Sequence, residues 1–277
     1  MSRFIVGLCQ MRVDLNKEVN LKMASEMVRE AAAQGCDLVV LPEMFNCPYQ
    51  TARFPEYAES IPGGESYAML QELARSLQII LIGGSIPEID KDGRVFNTSL
   101  AFNESGQMLA CHRKMHLFNV DIQGGISFRE SDTLSAGQEV TTFESGLGPM
   151  GMAICYDLRF PELSRLMVQR GAQILLFPGA FNTTTGPLHW EILLRCRAVD
   201  NQVYVIAASP AYDPAGVYPA HGHSMVVDPW GKIVAEAETS EELVLAEINL
   251  ENVKRVRDEL PLLKHRRLDL YELREKP

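Results

Sequence analysis

The chain has 277 residues, 46% of them hydrophobic and 22% charged, enough to bury a full core as one large α/β domain or two smaller ones and too apolar for disorder. Its net charge of −10 argues against a nucleic-acid partner, which asks for a basic face, but not against an anionic substrate, which needs only a local cationic pocket. No apolar run approaches the roughly 18 residues of a membrane span and the N-terminus lacks a secretory pattern, so the six cysteines are expected as free thiols in a cytoplasmic protein.

Phe4–Cys9 reads as a buried strand, and a helix from about Asn16 to Gln34 follows, with Leu21, Ala24, Val28 and Ala31 on one face and Gly35 ending it. Asp37–Pro42 is the next strand. A helix over Glu65–Gln78 leads to the strand Ile79–Gly83, and a hairpin turns at Lys91-Asp-Gly-Arg94 with strands reaching Cys111. Met150–Cys155 is another apolar strand, followed by a helix over 161–170 with Pro161 in its first turn, then Gly171 and the strand Gln173–Pro178. A helix near 188–200, a strand over Gln202–Ser209 and a meander of Gly222–Asp228, Lys232–Ala235 and Leu243–Ile248 complete the pattern. The charged stretch from about Glu251 is expected to form a short helix and then an arm that contacts another subunit.

The two halves share a phrase. Gly35-Cys-Asp-Leu-Val-Val-Leu-Pro42-Glu-Met-Phe45 matches Gly171-Ala-Gln-Ile-Leu-Leu-Phe-Pro178-Gly-Ala-Phe181 as glycine, apolar strand, proline, aromatic. Two ordinary βα units would produce this. The sharper reading is a pseudo-twofold α/β pair whose two sheets pack face to face with helices outside, because continuous apolar strands are buried on both faces. No linker-like stretch divides the halves, so residues 1–277 are expected to form one domain.

Four residues carry candidate chemistry. Cys155 lies at a strand-to-helix junction, where stiff backbone holds the sulfur near free N–H groups; a small buried hydrophobe is the plainer alternative. Glu43 follows a buried strand at Leu41-Pro42, the edge at which open α/β sheets bind ligands, although a turn with a solvated charge also fits. Lys114 closes a strand-like run within His112, Arg113, Lys114 and His116, which could equally be a solvated basic edge. Glu130 lies in the loop Ile126–Ser131, where an ion pair with Arg129 or Lys114 would explain it.

Taken in order, Glu43, the phrase Arg113-Lys114-Met-His-Leu-Phe118 and Gly151-Met-Ala-Ile-Cys155-Tyr-Asp-Leu-Arg-Phe-Pro-Glu162 make the chain resemble the nitrilase superfamily of carbon–nitrogen hydrolases, from about Phe4 to Tyr271. The resemblance implies a four-layer αββα sandwich that dimerises. It also implies a thiol-dependent amidase with Glu43 as acid/base, Lys114 and the Tyr156 N–H at the oxyanion, Cys155 as nucleophile and Glu130 in support. The segments Pro178–Glu191, Arg195–Tyr204 and His223–Gly231 resemble the omega-amidase branch, whose substrates are short dicarboxylic monoamides such as 2-oxoglutaramate and 2-oxosuccinamate. The distal carboxylate of such a substrate asks for cationic or hydroxyl partners, and loop position suggests Arg159, Phe181 and Thr184. Against this, Arg159 could pair with Asp157 or Glu162, and the threonines could cap the following helix. Arg197, on the face of Trp190 and Leu194, is expected to be a buried structural partner. Tyr156-Asp157-Leu158-Arg159 after the cysteine differs from the Trp-Glu-Asn of true nitrilases. N-carbamoyl amidohydrolases commonly carry a longer N-terminal region, and a deaminated glutathione amidase is a further relative in the alternatives. No cofactor or metal is required, and His221-Gly-His223 reads as the approach to a strand. A catalytically silent dimeric scaffold remains the alternative of another class.

Overall fold

Alternating burial along the first strand sets the frame. In β1 (Arg3–Gln10), Phe4, Val6 and Leu8 point into one buried layer and Cys9 into another. The computed structural model describes residues 3–123 and 127–276, so Met1, Ser2, Pro277 and Ile126 at the head of the Glu130 loop lie outside the described residues. Helix α1 (Lys17–Ala33) begins where Asn16 Oδ1 accepts from the N–H groups of Glu18 (2.8 Å) and Val19 (3.4 Å), and it buries Leu21, Ala24, Val28 and Ala31. Next come β2 (Leu38–Val40), the single turn α2 (Phe54–Tyr57), α3 (Glu65–Leu77) and β3 (Ile80–Ile82). Strands β1, β2 and β3 run parallel, with Leu38 between Val6 and Ile80. The antiparallel strands β4 (Ile86–Ile89), β5 (Val95–Phe102) and β6 (Met108–Arg113) extend that sheet. A small hairpin, β7 (Asn119–Asp121) with β8 (Ser127–Arg129), precedes the second half.

The second half repeats the plan. β9 (Thr141–Ser145) pairs antiparallel with β10 (Gly148–Met152), which leads to α4 (Pro161–Gln169), β11 (Ile174–Leu176), α5 (Gly186–Asn201) and β12 (Tyr204–Ala207). Strands β10, β11 and β12 are parallel, with Ile174 between Met150 and Tyr204. The shared phrase therefore occupies the same place twice, ending the middle strand of each parallel trio at Pro42 and Pro178.

The two sheets pack face to face. Val6, Leu8, Val40 and Ile82 of the first and Met150, Met152, Leu176 and Ile206 of the second meet in one core. α1 and α3 bury their apolar stripes on the outer face of the first sheet, and α4 and α5 on that of the second. The result is the four-layer αββα sandwich.

The expected meander is wrong in its last strand. β13 (Met225–Val227) and β14 (Ile233–Glu236) pair antiparallel in the second sheet, but β15 (Glu242–Asn249) crosses to the first and runs antiparallel along all of β1, from Asn249 opposite Arg3 to Glu242 opposite Gln10. There it covers the exposed side of β1 and sends Val244, Ala246 and Ile248 into the shared core. Two boundaries also shift. Gln202 is not in a strand but is the left-handed cap of α5 (φ 53°), and the strand expected over 150–155 stops at Met152, freeing Ala153–Cys155 to turn. α6 (Glu251–Glu259) follows β15, and the chain from 260 to 276 has no regular helix or strand.

Candidate active site

Both Glu43 and Cys155 lie just past the C-terminal ends of parallel strands, where the backbone is forced to turn. Met44, after Glu43, has φ 51°, and its N–H donates to Ser85 Oγ at 3.0 Å. Cys155 itself has φ 47°, a left-handed conformation that costs a side-chain-bearing residue about 1–2 kcal/mol. Neighbouring bonds hold it there. Its N–H donates to Pro178 O (2.8 Å), and Asp157 Oδ2 accepts from Ile154 N–H (3.0 Å). Gly179 lets the two strand ends approach, since a Cβ there would sit 3.1 Å from the Trp190 ring and 3.3 Å from Cys155 Cα.

The polar groups converge from both sheets. Glu43 Oε1 accepts from Lys114 Nζ (2.9 Å) and Asn97 Nδ2 (2.8 Å), with the Tyr49 hydroxyl oxygen 3.1 Å away, while Oε2 accepts from Ala180 N–H (2.8 Å). Lys114 Nζ also donates to Glu130 Oε1 at 2.8 Å, and Glu130 accepts from Tyr49 OH (2.6 Å) and Phe118 N–H (2.6 Å). Glu43, Lys114 and Glu130 are each 0% exposed. The Cys155 thiol, itself buried, faces the Glu43 carboxylate and the Ala180 N–H.

Burial alone would lower the Lys114 pKa, but the Glu130 and Glu43 carboxylates outweigh it and hold the ammonium well above the usual lysine value. Burial, then the neighbouring Glu43, pushes the Cys155 thiol well above the ordinary range although Lys114 opposes them. Glu130 is raised by burial, which Lys114 only partly relieves because it shares one ammonium with Glu43. Both directions favour the thiol over the thiolate and the ammonium over the amine. The sulfur becomes a nucleophile only if a base removes the proton during attack.

The basic stretch 112–116 is not a solvated edge. Lys114 points inward, Arg113 pairs with Glu88, and His112 and His116 both reach Asp157 (3.3 and 2.7 Å). That occupies Asp157, so Arg159 does not pair with it, nor with Glu162. The Arg159 guanidinium instead lies 4.7 Å from the Phe181 ring centroid and 5.7 Å from that of Tyr156, with Nη1 at 3.0 Å from His189 Nδ1. Phe181 is buried against Trp190 (centroids 4.9 Å apart). The Tyr156 N–H meets no backbone carbonyl among the described residues. Thr184 is exposed on an outer cavity of about 510 Å³ shared with Tyr49, Phe128 and Tyr218. The threonines do not cap α5 through their side chains; Asn182 Oδ1 accepts from both the Thr184 and Thr185 N–H groups (2.9 Å each). Arg197 is buried and donates to the carbonyls of Leu158 (2.9 Å) and Arg159 (3.1 Å). Sequence does not mark Tyr49, Asn97 or His189, because no local pattern joins Tyr49 to Glu130, Asn97 to Glu43 or His189 to Arg159 across 30 or more residues.

Two packed βαβαβ units with a carboxylate, an ammonium and a thiol at their joint edge define a class of hydrolase, and the carbon-nitrogen hydrolase family matches residues 5–258: the chain belongs to that family, within the nitrilase superfamily. It is 51% identical over 276 residues to the omega-amidase NIT2 of Mus musculus, covering 100% of this chain and 99% of that protein. Its structure is similar to that of Saccharomyces cerevisiae Nit3, a member of branch 10 of the nitrilase superfamily (TM-score 0.89, 44% identity, 96% of this chain and 97% of that one). It is also similar to a mutant amidase from Nesterenkonia sp. AN1 that shows covalent addition of the acetamide moiety of fluoroacetamide at its active-site cysteine (TM-score 0.80, 25% identity, 96% and 95%).

Proposed function

We propose that the chain is an omega-amidase that hydrolyses the terminal carboxamide of short dicarboxylic monoamides, of the 2-oxoglutaramate and 2-oxosuccinamate type, to the acid and ammonia. The observation that carries the reading is the buried Glu43–Lys114 pair beside the Cys155 thiol, in a chain half identical along its length to an omega-amidase. Cys155 Sγ attacks the carboxamide carbon while Glu43 takes the thiol proton. The oxyanion is met by Lys114 Nζ and the Tyr156 N–H, each donor contributing roughly 3–4 kcal/mol. Glu43 returns the proton to the departing ammonia, leaving a thioester. Water, deprotonated by Glu43, then cleaves it and restores the thiol. Glu130 and Tyr49 keep Lys114 charged and aimed. The covalent adduct at the cysteine of the Nesterenkonia amidase supports the same role for Cys155. Arg159, stacked on Phe181, meets the substrate's distal carboxylate, and Thr184 lines the approach.

The enzyme acts as one domain, supported by a core that draws on both halves, and as a homodimer. Leu188, Ile192 and Trp230, 72%, 59% and 46% exposed, edge a groove along α5 and support that dimer. Among the described residues no helix is long and apolar enough to cross a membrane, and six unpaired cysteines support a cytoplasmic location. The test is ammonia release across 2-oxoglutaramate, succinamate, glutamine, an N-carbamoyl β-amino acid and an aliphatic nitrile. The first two should lead by about ten- to a hundredfold in kcat/KM; a lead by the carbamoyl compound or the nitrile would overturn the reading.

A further inference from the structure

Arg159 is a half-buried cation whose polar side-chain contact among the described residues is with a neutral-capable group, His189, rather than a carboxylate. A guanidinium has donors only, so His189 Nδ1 must accept, and the ring must carry its proton on Nε2. The arrangement is braced on both sides. Arg197 fixes the carbonyls of Leu158 and Arg159, and His189 is held on α5 by its N–H to Thr185 O (2.9 Å). Burial, then the Arg159 charge, lowers the His189 pKa, which keeps the ring in the accepting form. The chemistry of the acceptor matters. A carboxylate here would orient the guanidinium and also neutralise it, whereas an imidazole takes one N–H and leaves the charge for an incoming anion.

We propose that His189 is the positioning residue of the anion subsite, holding the Arg159 fork through Nδ1 so that its uncompensated charge faces the substrate's distal carboxylate. The inference rests on the reading of Arg159 as the carboxylate partner. It extends that reading to a residue thirty positions away whose role is orientation without neutralisation.

Steady-state kinetics on succinamate and its neutral counterpart butyramide test it with four single variants and one double variant. His189→Leu should raise KM for succinamate about tenfold more than for butyramide, with kcat changing much less. His189→Asn, which offers an oxygen where Nδ1 stood, should keep the preference for succinamate within about threefold of wild type. His189→Gln, which keeps a polar side chain but carries the acceptor one bond too far, should behave as the leucine variant does. Arg159→Met should collapse the preference, and adding His189→Leu to it should cost little more, because the two act as one unit. Equal losses on both amides in His189→Leu, or equal preferences in the Asn and Gln variants, would overturn the role of His189. A collapse in Arg159→Met with the preference intact in His189→Leu overturns this inference alone. An unchanged preference in Arg159→Met overturns both it and the carboxylate reading.

Discussion

A lysine enclosed between two carboxylates is chosen for charge, not for reach. Lys114 is fully buried, and its ammonium is shared by Glu43 and Glu130 at 2.9 and 2.8 Å. Lys114→Ala should therefore lower turnover at least about a hundredfold, by losing an oxyanion donor and leaving two carboxylates face to face. Lys114→Arg should not restore it, since a planar fork does not fit where Tyr49 OH closes the site at 3.4 Å. Near-wild-type ammonia release from Lys114→Arg would contradict the role. Cys155→Ser should be almost inactive despite its near-identical shape, because the Glu43 carboxylate cannot generate an alkoxide as it can a thiolate. Retention of more than about a thousandth of wild-type turnover would argue against sulfur as the nucleophile.

At the scale of elements, the Asp157 side chain ties the turn that carries Cys155 to the end of β6 and the segment after it. Asp157 accepts from the N–H groups of Ile154 (3.0 Å) and His116 (2.8 Å) and from both histidine rings. Burial would raise its pKa, but the hydrogen bonds of His112 and His116 hold it well below the usual carboxylate range. A depressed folded pKa means stability that is present above the unfolded value of about 3.9 and lost as pH falls through the folded value. Asp157→Asn should thus cost about 2–4 kcal/mol near neutrality, with the gap in Tm narrowing as pH falls below about 4. A gap in thermal melts that stays constant from neutral pH into that acid range would show that the charge of Asp157 contributes nothing. Sequence carried the local part of this architecture well. The apolar spacing of Leu21, Ala24, Val28 and Ala31 fixes which face of α1 is buried, and Asn16 marks its start. What it could not carry was partnership over distance. Nothing in Leu243–Ile248 says that this strand seeks β1 rather than β14, because its alternation suits either edge. Likewise Asp157 and Arg159 look like an ion pair two residues apart, until the fold gives Asp157 two histidines and Arg159 a third.

The whole molecule makes the site from both halves. Glu43 and Lys114 arrive on strands of the first sheet, Cys155 and Ala180 at the ends of strands of the second, and the shared core between the sheets sets their separation. This explains why Glu43, Lys114 and Cys155 are legible as a set only through family resemblance: their spacing in sequence reflects the path of the sheets, not any local geometry. The exposed apolar edge of α5 belongs to this scale too. Ile192→Glu should lower the sedimentation coefficient if that face joins two copies, and an unchanged coefficient at micromolar concentration would show that this face joins none.

Hydrolysis is predicted to depend on one thiol, that of Cys155, and alkylation followed by peptide mapping reads out that dependence. Cys111 and Cys196 are exposed and will react with iodoacetamide by access alone, so the readout is which modification tracks the loss of ammonia release. Activity should fall in step with carboxamidomethylation of Cys155, and succinamate should protect that residue while leaving Cys111 and Cys196 unprotected. Full modification of Cys155 with activity retained, or inactivation that follows another cysteine, would contradict it.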